Sequence, residues 1–231
     1  MATHSGPFVY GVSTYGTVLH LDASNILSYP GTGTVWSDLS GKGNNATLID
    51  GPTFSTDSIV FEGFNDYVSV INNGNLSFTN NFTLDATVRI TAYQPTGYYD
   101  LRNMILECGN AGTYNYALQL SNDTTVTFVK RTTGGETLQY YNFTVTSMLN
   151  QRKNIVVTYH NTQLTLYLNG VLIGAQYVPS LQPPLATTFS IGGGKLSPPA
   201  TAFTGNIYNV RIYNRTLPVY EILKNAKVMG V

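Results

Sequence analysis

Charge is scarce in this chain. Asp, Glu, Lys and Arg make up 10% of its 231 residues, against about 25% in an ordinary domain. Twelve basic residues balance twelve acidic ones. No run of Lys or Arg exceeds two residues, so the basic stripe that a nucleic-acid partner requires is missing. Cys108 is the single cysteine, which excludes an intrachain disulfide and leaves it the role of a small buried hydrophobe. No apolar run reaches the roughly 18 residues of a membrane span. The first residues, Met1 to Pro7, lack a basic stretch followed by an apolar one. The expectation is therefore a soluble chain without a signal peptide and without a membrane partner.

What fills the chain instead is Thr, Asn, Ser, Gly and Tyr, with 17 tyrosines and 42% hydrophobic residues. That length and apolar content suit one large core. Six sequons (at Asn45, Asn75, Asn81, Asn122, Asn142 and Asn214) are what so Asn- and Thr-rich a chain contains by chance.

Period-two alternation, the mark of half-buried strands, recurs from end to end. Phe82, Leu84, Ala86, Val88 and Ile90 share one face, and Thr83, Asp85, Thr87 and Arg89 the other. Leu164, Leu166 and Leu168 form a second such face, Tyr116, Leu118 and Leu120 a third, Val126 and Phe128 a fourth. Tyr208, Val210 and Ile212 read as a fifth, which leaves Arg211 on the outer face of its strand, in an ion pair worth only about 0–1 kcal/mol. Ile155, Val157 and Tyr159 point inward on a strand that is also apolar at Val156, as a central strand would be. Between these runs stand turn signals, the strongest being Asn169-Gly170, which predicts a hairpin joining Leu164–Leu168 to Val171–Tyr177. One helix is expected from about Leu217 to Lys227, capped by Thr216, with Ile222 and Leu223 turned inward. Residues 1–16 read as an N-terminal arm and 17–231 as one domain. The fold class is all-β, a two-sheet antiparallel jelly-roll sandwich with one short C-terminal helix.

Six segments in order carry a family resemblance. They are Leu19-His20-Leu21-Asp22-Ala23; Val35-Trp36-Ser37-Asp38-Leu39-Ser40-Gly41-Lys42-Gly43-Asn44-Asn45; Ile59-Val60-Phe61-Glu62-Gly63 with Asn65-Asp66-Tyr67; Phe82-Thr83-Leu84-Asp85-Ala86; Asn154 to Tyr159 with Leu166 to Gly170; and Phe203 to Arg215. Together they resemble the laminin-G-like (LamG) branch of the concanavalin A-like lectin/glucanase superfamily, over roughly Thr17 to Lys224. The chain departs from that pattern at Thr87, where a Trp is common, and in the Tyr-rich loop Tyr93–Asp100. Gly63 and Gly205 stand where strands turn tightly, and Trp36 is expected to bury its ring while its indole N–H reaches a carbonyl.

Glycosidases on this fold flank the scissile bond with two carboxylates, supplied in related jelly rolls by a Glu-x-Asp-x-Glu strand. No two acids here are separated by a single residue, and His4, His20 and His160 are scattered without a nucleophile motif. The chain is expected not to be an enzyme and to require no cofactor. The resemblance implies one candidate ion, a structural calcium in the rim loops, with Asp38, Asn44, Asn45 and Asp66 as ligands. Asp38 and Asp66 read equally well as residues that organise turns through backbone hydrogen bonds. For recognition, Tyr93, Tyr98, Tyr99, Tyr140 and Tyr141 offer flat apolar area with a hydroxyl, suited to a pyranose or to a protein surface. The resemblance extends to phage and large-virus structural proteins. It implies a virion component on the outer surface of a particle, held by other virion proteins or by a second copy through the N-terminal arm, with glycan binding as an added role. The alternative is a free or cell-surface lectin-like carbohydrate-binding module.

Overall fold

The computed structural model describes residues 11–93, 103–110, 113–131, 138–179, 188–193 and 202–231. Within them run β1 (Thr17–Asp22), β2 (Val35–Trp36), β3 (Ala46–Ile49), β4 (Thr53–Ser55), β5 (Ser58–Glu62), β6 (Tyr67–Ile71), β7 (Phe82–Ile90) and β8 (Asn103–Asn110). There follow β9 (Thr113–Asn122), β10 (Thr125–Arg131), β11 (Leu138–Thr144), β12 (Arg152–His160), β13 (Gln163–Leu168), β14 (Val171–Tyr177), β15 (Thr188–Ile191), β16 (Thr204–Tyr213) and α1 (Val219–Val228). They form two eight-stranded sheets. Sheet A runs β14-β13-β12-β7-β16-β5-β4, with β1 also paired to β16; sheet B runs β11-β10-β9-β8-β15-β6-β3-β2. Their strand pairs are antiparallel, and the fold is the expected jelly-roll sandwich.

The alternating apolar residues of both sheets meet in one continuous core. Phe82 of β7 is its aromatic centre, stacked 5.4 Å from Tyr159 and 5.9 Å from Tyr116, and tilted 6.3 Å from Phe128. Cys108 is buried beside this cluster, where burial pushes its thiol up to about 12. The hairpin at Asn169-Gly170 is formed as its sequence dictates, with φ of 51° and 78°. A side chain at Gly170 would also strike Leu223 of α1 at 2.8 Å, so the turn doubles as a seat for the helix.

Several local expectations need correction, and most share one cause. The polar face of sheet A is not a solvent face, because α1 and the residues before β1 lie across it. Arg211 is 1% exposed and Asp85 0%, and Arg211 Nη2 donates to Asp85 Oδ1 at 3.2 Å. The same carboxylate accepts from Asn154 Nδ2 at 2.7 Å and, through Oδ2, from Asn225 Nδ2 of α1 at 2.9 Å. This is a buried charge network, not a surface pair. Strand register extends it as a polar grid, His20–Arg211–Asp85 beside Asp22–Asn209–Thr87–Asn154. Side-chain atoms of His20, Asn209, Arg211 and Asn154 in that grid are buried without a protein partner, the kind of place ordered water occupies.

Tyr208 does not share a face with Val210 and Ile212. A bulge in β16 between Ile207 and Asn209 puts Ile207 in the core and turns Tyr208 out under the Arg152 guanidinium, 3.9 Å from its ring centre. The helix begins at Val219, not Leu217. Thr216 does not cap it, because its hydroxyl donates to the carbonyl of Tyr159 at 2.9 Å. Ile222 is buried as expected, whereas Leu223 is 40% exposed and Asn225 and Ala226 complete the inward face. Trp36 is fully buried, but its indole N–H has no partner.

Of residues 1–16, only 11–16 are described, and they are bound to the domain itself. Ser13 N donates to Asn225 Oδ1 at 3.0 Å, the Ser13 hydroxyl donates to Glu221, and Arg215 pairs with Glu221 and donates to the carbonyl of Tyr15. The chain is thus tied down from Ser13. Arg215 first, then the Ser13 hydroxyl, holds the Glu221 carboxyl below its ordinary 4.5. The clamp is therefore complete above that pH and weakens as Glu221 is protonated below it.

Candidate recognition site at the mouth of the sandwich

The two sheets approach each other at the open edges of β11 and β14. At Gly174 the two come within ordinary contact: a Cβ there would stand 3.6 Å from the ring of Phe143. Gln176 Nε2 then bridges the sheets, donating to the carbonyl of Asn142 at 2.6 Å. Beyond this closure the edge opens into a shallow depression of about 280 Å³ lined by Thr162, Gln163, Ala175, Gln176 and Tyr177. Tyr177 is 72% exposed.

The floor beneath Tyr177 is rigid. The next residues, Val178 and Pro179, offer their carbonyls to the core, where Tyr159 donates to Val178 at 3.2 Å and Lys130 Nζ to Pro179 at 2.7 Å. Burial lowers the Lys130 ammonium pKa. Tyr141 lies on the sheet B side of the mouth, its hydroxyl donating to Gln139 Oε1 at 2.9 Å. Burial, and then the neighbouring Tyr177 phenol, raise the pKa of Tyr141; burial and then Tyr141 and Tyr177 do the same for Tyr159. Tyr141, Tyr159 and Tyr177 therefore share one neighbourhood. The result is an exposed aromatic face among amides and hydroxyls, on a fixed backbone.

The tyrosines singled out in the sequence divide. Tyr140 and Tyr141 are adjacent in β11, so the pleat sends them to opposite faces: Tyr141 packs against the core, and Tyr140 stands on the outer face of sheet B, 45% exposed. Tyr93 is half-buried against the core, its hydroxyl buried without a partner, and burial followed by the charge of Asp123 raises its pKa. It belongs to a different corner. Tyr98 and Tyr99 lie outside the described residues. The site's principal aromatic, Tyr177, was not among them; its only signal was its place at the end of a hairpin strand.

The rim-loop residues are engaged in holding their own loop. Asp38 Oδ1 accepts from the backbone N–H of His20 and Ser40, and Oδ2 from the Ser40 hydroxyl and the N–H of Asn44. Asn45 Oδ1 accepts from Asp38 N–H, and Asn44 is fully buried between Val18 and Asn73. Asp66 is at another corner, accepting from Glu62 N–H; burial foremost, then Glu62 and Asp50, raises its pKa. These oxygens face N–H and O–H donors, which a cation would have to displace, so the four residues do not fit a calcium shell. Among the described residues no three His, Cys, Asp or Glu side chains form a group able to hold a metal. Among the described residues, the two fully buried acids stand on opposite faces of the sandwich. Asp85 is enclosed under α1, and Glu107, across from Ala117 on the outer face of sheet B, accepts from Ser190 at 2.8 Å. They cannot flank one glycosidic bond.

This architecture places the chain in a class. It belongs to the concanavalin A-like lectin/glucanases superfamily, whose laminin-G-type model matches residues 61–223. No curated protein matches it. Among solved structures it is similar to the sialidase of Trypanosoma rangeli in complex with a difluoro-KDN ligand, at 20% identity and a TM-score of 0.72, over 95% of this chain and 34% of the sialidase. It is also similar to the botulinum neurotoxin serotype G binding domain, at 14% identity and a TM-score of 0.72, over 93% of this chain and 51% of that one. The serotype D binding domain aligns at 15% identity with a TM-score of 0.70. The chain spans about a third of the sialidase and about half of the toxin binding domains, and at these identities the likeness is one of fold. No helix among the described residues is long and apolar enough to cross a membrane.

Proposed function

We propose that the chain is a non-catalytic recognition domain that binds carbohydrate at the β11–β14 mouth. The observation that carries this is Tyr177, a largely exposed ring on a pinned backbone, flanked by Gln163, Gln176 and Thr162. Such a ring covers a pyranose face while amides and hydroxyls meet the sugar's own hydroxyls. The separation of the two buried acids supports the non-catalytic half of the reading.

Tyr177→Ala is expected to weaken binding to whichever saccharide an array identifies by roughly tenfold, the loss of about 1.4 kcal/mol. Its melting midpoint should stay within a degree or two, because an exposed side chain contributes little to folding. An array without any hit, or a variant that binds as tightly as the parent, contradicts the reading.

No metal is required on this account. Adding a chelator or millimolar calcium should leave the melting midpoint in place, and a shift of several degrees would return the rim loops to consideration.

A second reading, a component on the outer surface of a virus or phage particle, is favoured by apolar residues left exposed at the other end of the β13–β14 hairpin. Val171 and Leu172 follow Gly170, which packs against Leu223, and Val219 and Tyr220 are exposed on the same helix. Neighbouring copies of the chain would bury them. Light scattering that shows a defined oligomer, dispersed by Val171→Asp, supports this reading; a monomer at all concentrations opposes it.

A further inference from the structure

We infer that the β11–β14 mouth selects uncharged saccharides and rejects those carrying a carboxylate; this rests on the carbohydrate reading above. The hairpin and its approach, residues 162–179, contain no Asp, Glu, Lys or Arg, and neither do residues 138–151, which include β11. Both strands at this exposed edge thus lack charge, although edge strands are commonly guarded by lysines.

The cations nearest in the strand pairing are already engaged. Lys130, paired with Gln139 across β10 and β11, is 1% exposed and points its ammonium at the Pro179 carbonyl. Arg131 is the next residue along β10, so the pleat directs it to the opposite face, level with Leu138. His160, opposite Gln163, sits within 3.2 Å of the Asn161 side-chain amide. The connecting residues 132–137 add one charge, and it is an acid, Glu136.

Among the described residues, a carboxylate entering this mouth would shed water and meet no cation other than Lys130, which the Pro179 carbonyl already holds. Hydrogen bonds from neutral amides recover only part of that loss, whereas sites built for acidic sugars use an Arg or Lys to form charge-assisted bonds. A neutral pyranose loses little on entry. Its hydroxyls meet the Gln163 amide and the Thr162 hydroxyl.

The test uses matched oligosaccharides, uncharged or carrying one added carboxylate: a lactose-type backbone with or without terminal sialic acid, and a xylan-type backbone with or without glucuronic acid. They are titrated against the full chain by calorimetry at pH 8, at low and high salt. The uncharged member of a bound pair should bind at least tenfold more tightly, with an affinity that salt does not change. Gln163→Arg should then bring the acidic member to within about threefold of the neutral one. Equal or tighter binding of the acidic member, or affinity that falls with salt, overturns the selectivity while leaving carbohydrate binding intact. Failure of both members, together with a blank array, overturns the carbohydrate reading itself.

Discussion

Asp85→Ala should cost about 3–5 kcal/mol of folding stability, a fall of roughly 10 °C in the melting midpoint. The expectation follows from what the substitution leaves behind. Arg211 would remain a guanidinium at 1% exposure with no anion, and Asn154 and Asn225 would lose the acceptor they share. Removing one partner of a buried pair exposes the desolvation cost of the other, which is far larger than the pair's net worth. Replacing both together, as Asp85→Leu with Arg211→Met, should therefore recover most of the loss. Denaturant unfolding followed by the emission of Trp36, the single tryptophan and fully buried, reads this directly. A loss below about 1 kcal/mol in the single variant would mean that water reaches the pair and that α1 does not seal it.

The second large effect is at Gly205, and its cause is steric. Gly205 has φ of 138°, and a Cβ there would lie 2.1 Å from the carbonyl oxygen of Arg89. That oxygen belongs to the neighbouring strand and has no rotamer to adopt. Backbone strain and overpacking each cost about 1–3 kcal/mol, so Gly205→Ala should lose on the order of 4 kcal/mol. β16 pairs with β1, β5 and β7, so the damage falls at the centre of sheet A. Gly33→Ala is the control: it has φ of 85° but open space around it, and only the backbone strain should register. Equal losses in the two variants would show that conformation, not the contact with Arg89, accounts for Gly205.

The alternation in β7 and the Asn-Gly hairpin were legible because each is local: a pleat with period two and a turn that needs positive φ. What the sequence concealed came from a second layer or from another strand. Thr83, Asp85 and Thr87 look like a solvent face, and nothing in their spacing announces that a helix more than 130 positions later covers them. The bulge at Tyr208 broke a clean alternation because one inserted residue exchanges the faces of the strand. The site was hidden for the same reason. Tyr140-Tyr141 reads as a doublet, yet adjacency in a strand sends the two rings apart, and the most exposed ring at this edge is Tyr177 of β14, from the other sheet. The polar rim loops misled in the other direction. Asp38, Asn44 and Asn45 have the residue types of a cation shell, but their oxygens are occupied in closing their own turns.

The most direct test of the central claim is backbone amide NMR of the isotopically labelled chain during titration with an uncharged oligosaccharide bound on the array. The account predicts saturable shifts confined to Thr162 and Gln163, Ala175 to Tyr177, and Gln139 to Asn142. Shifts centred instead on Asp38, Asn44 and Asp66, or spread over the outer face of sheet B around Ala117 and Glu107, would contradict it.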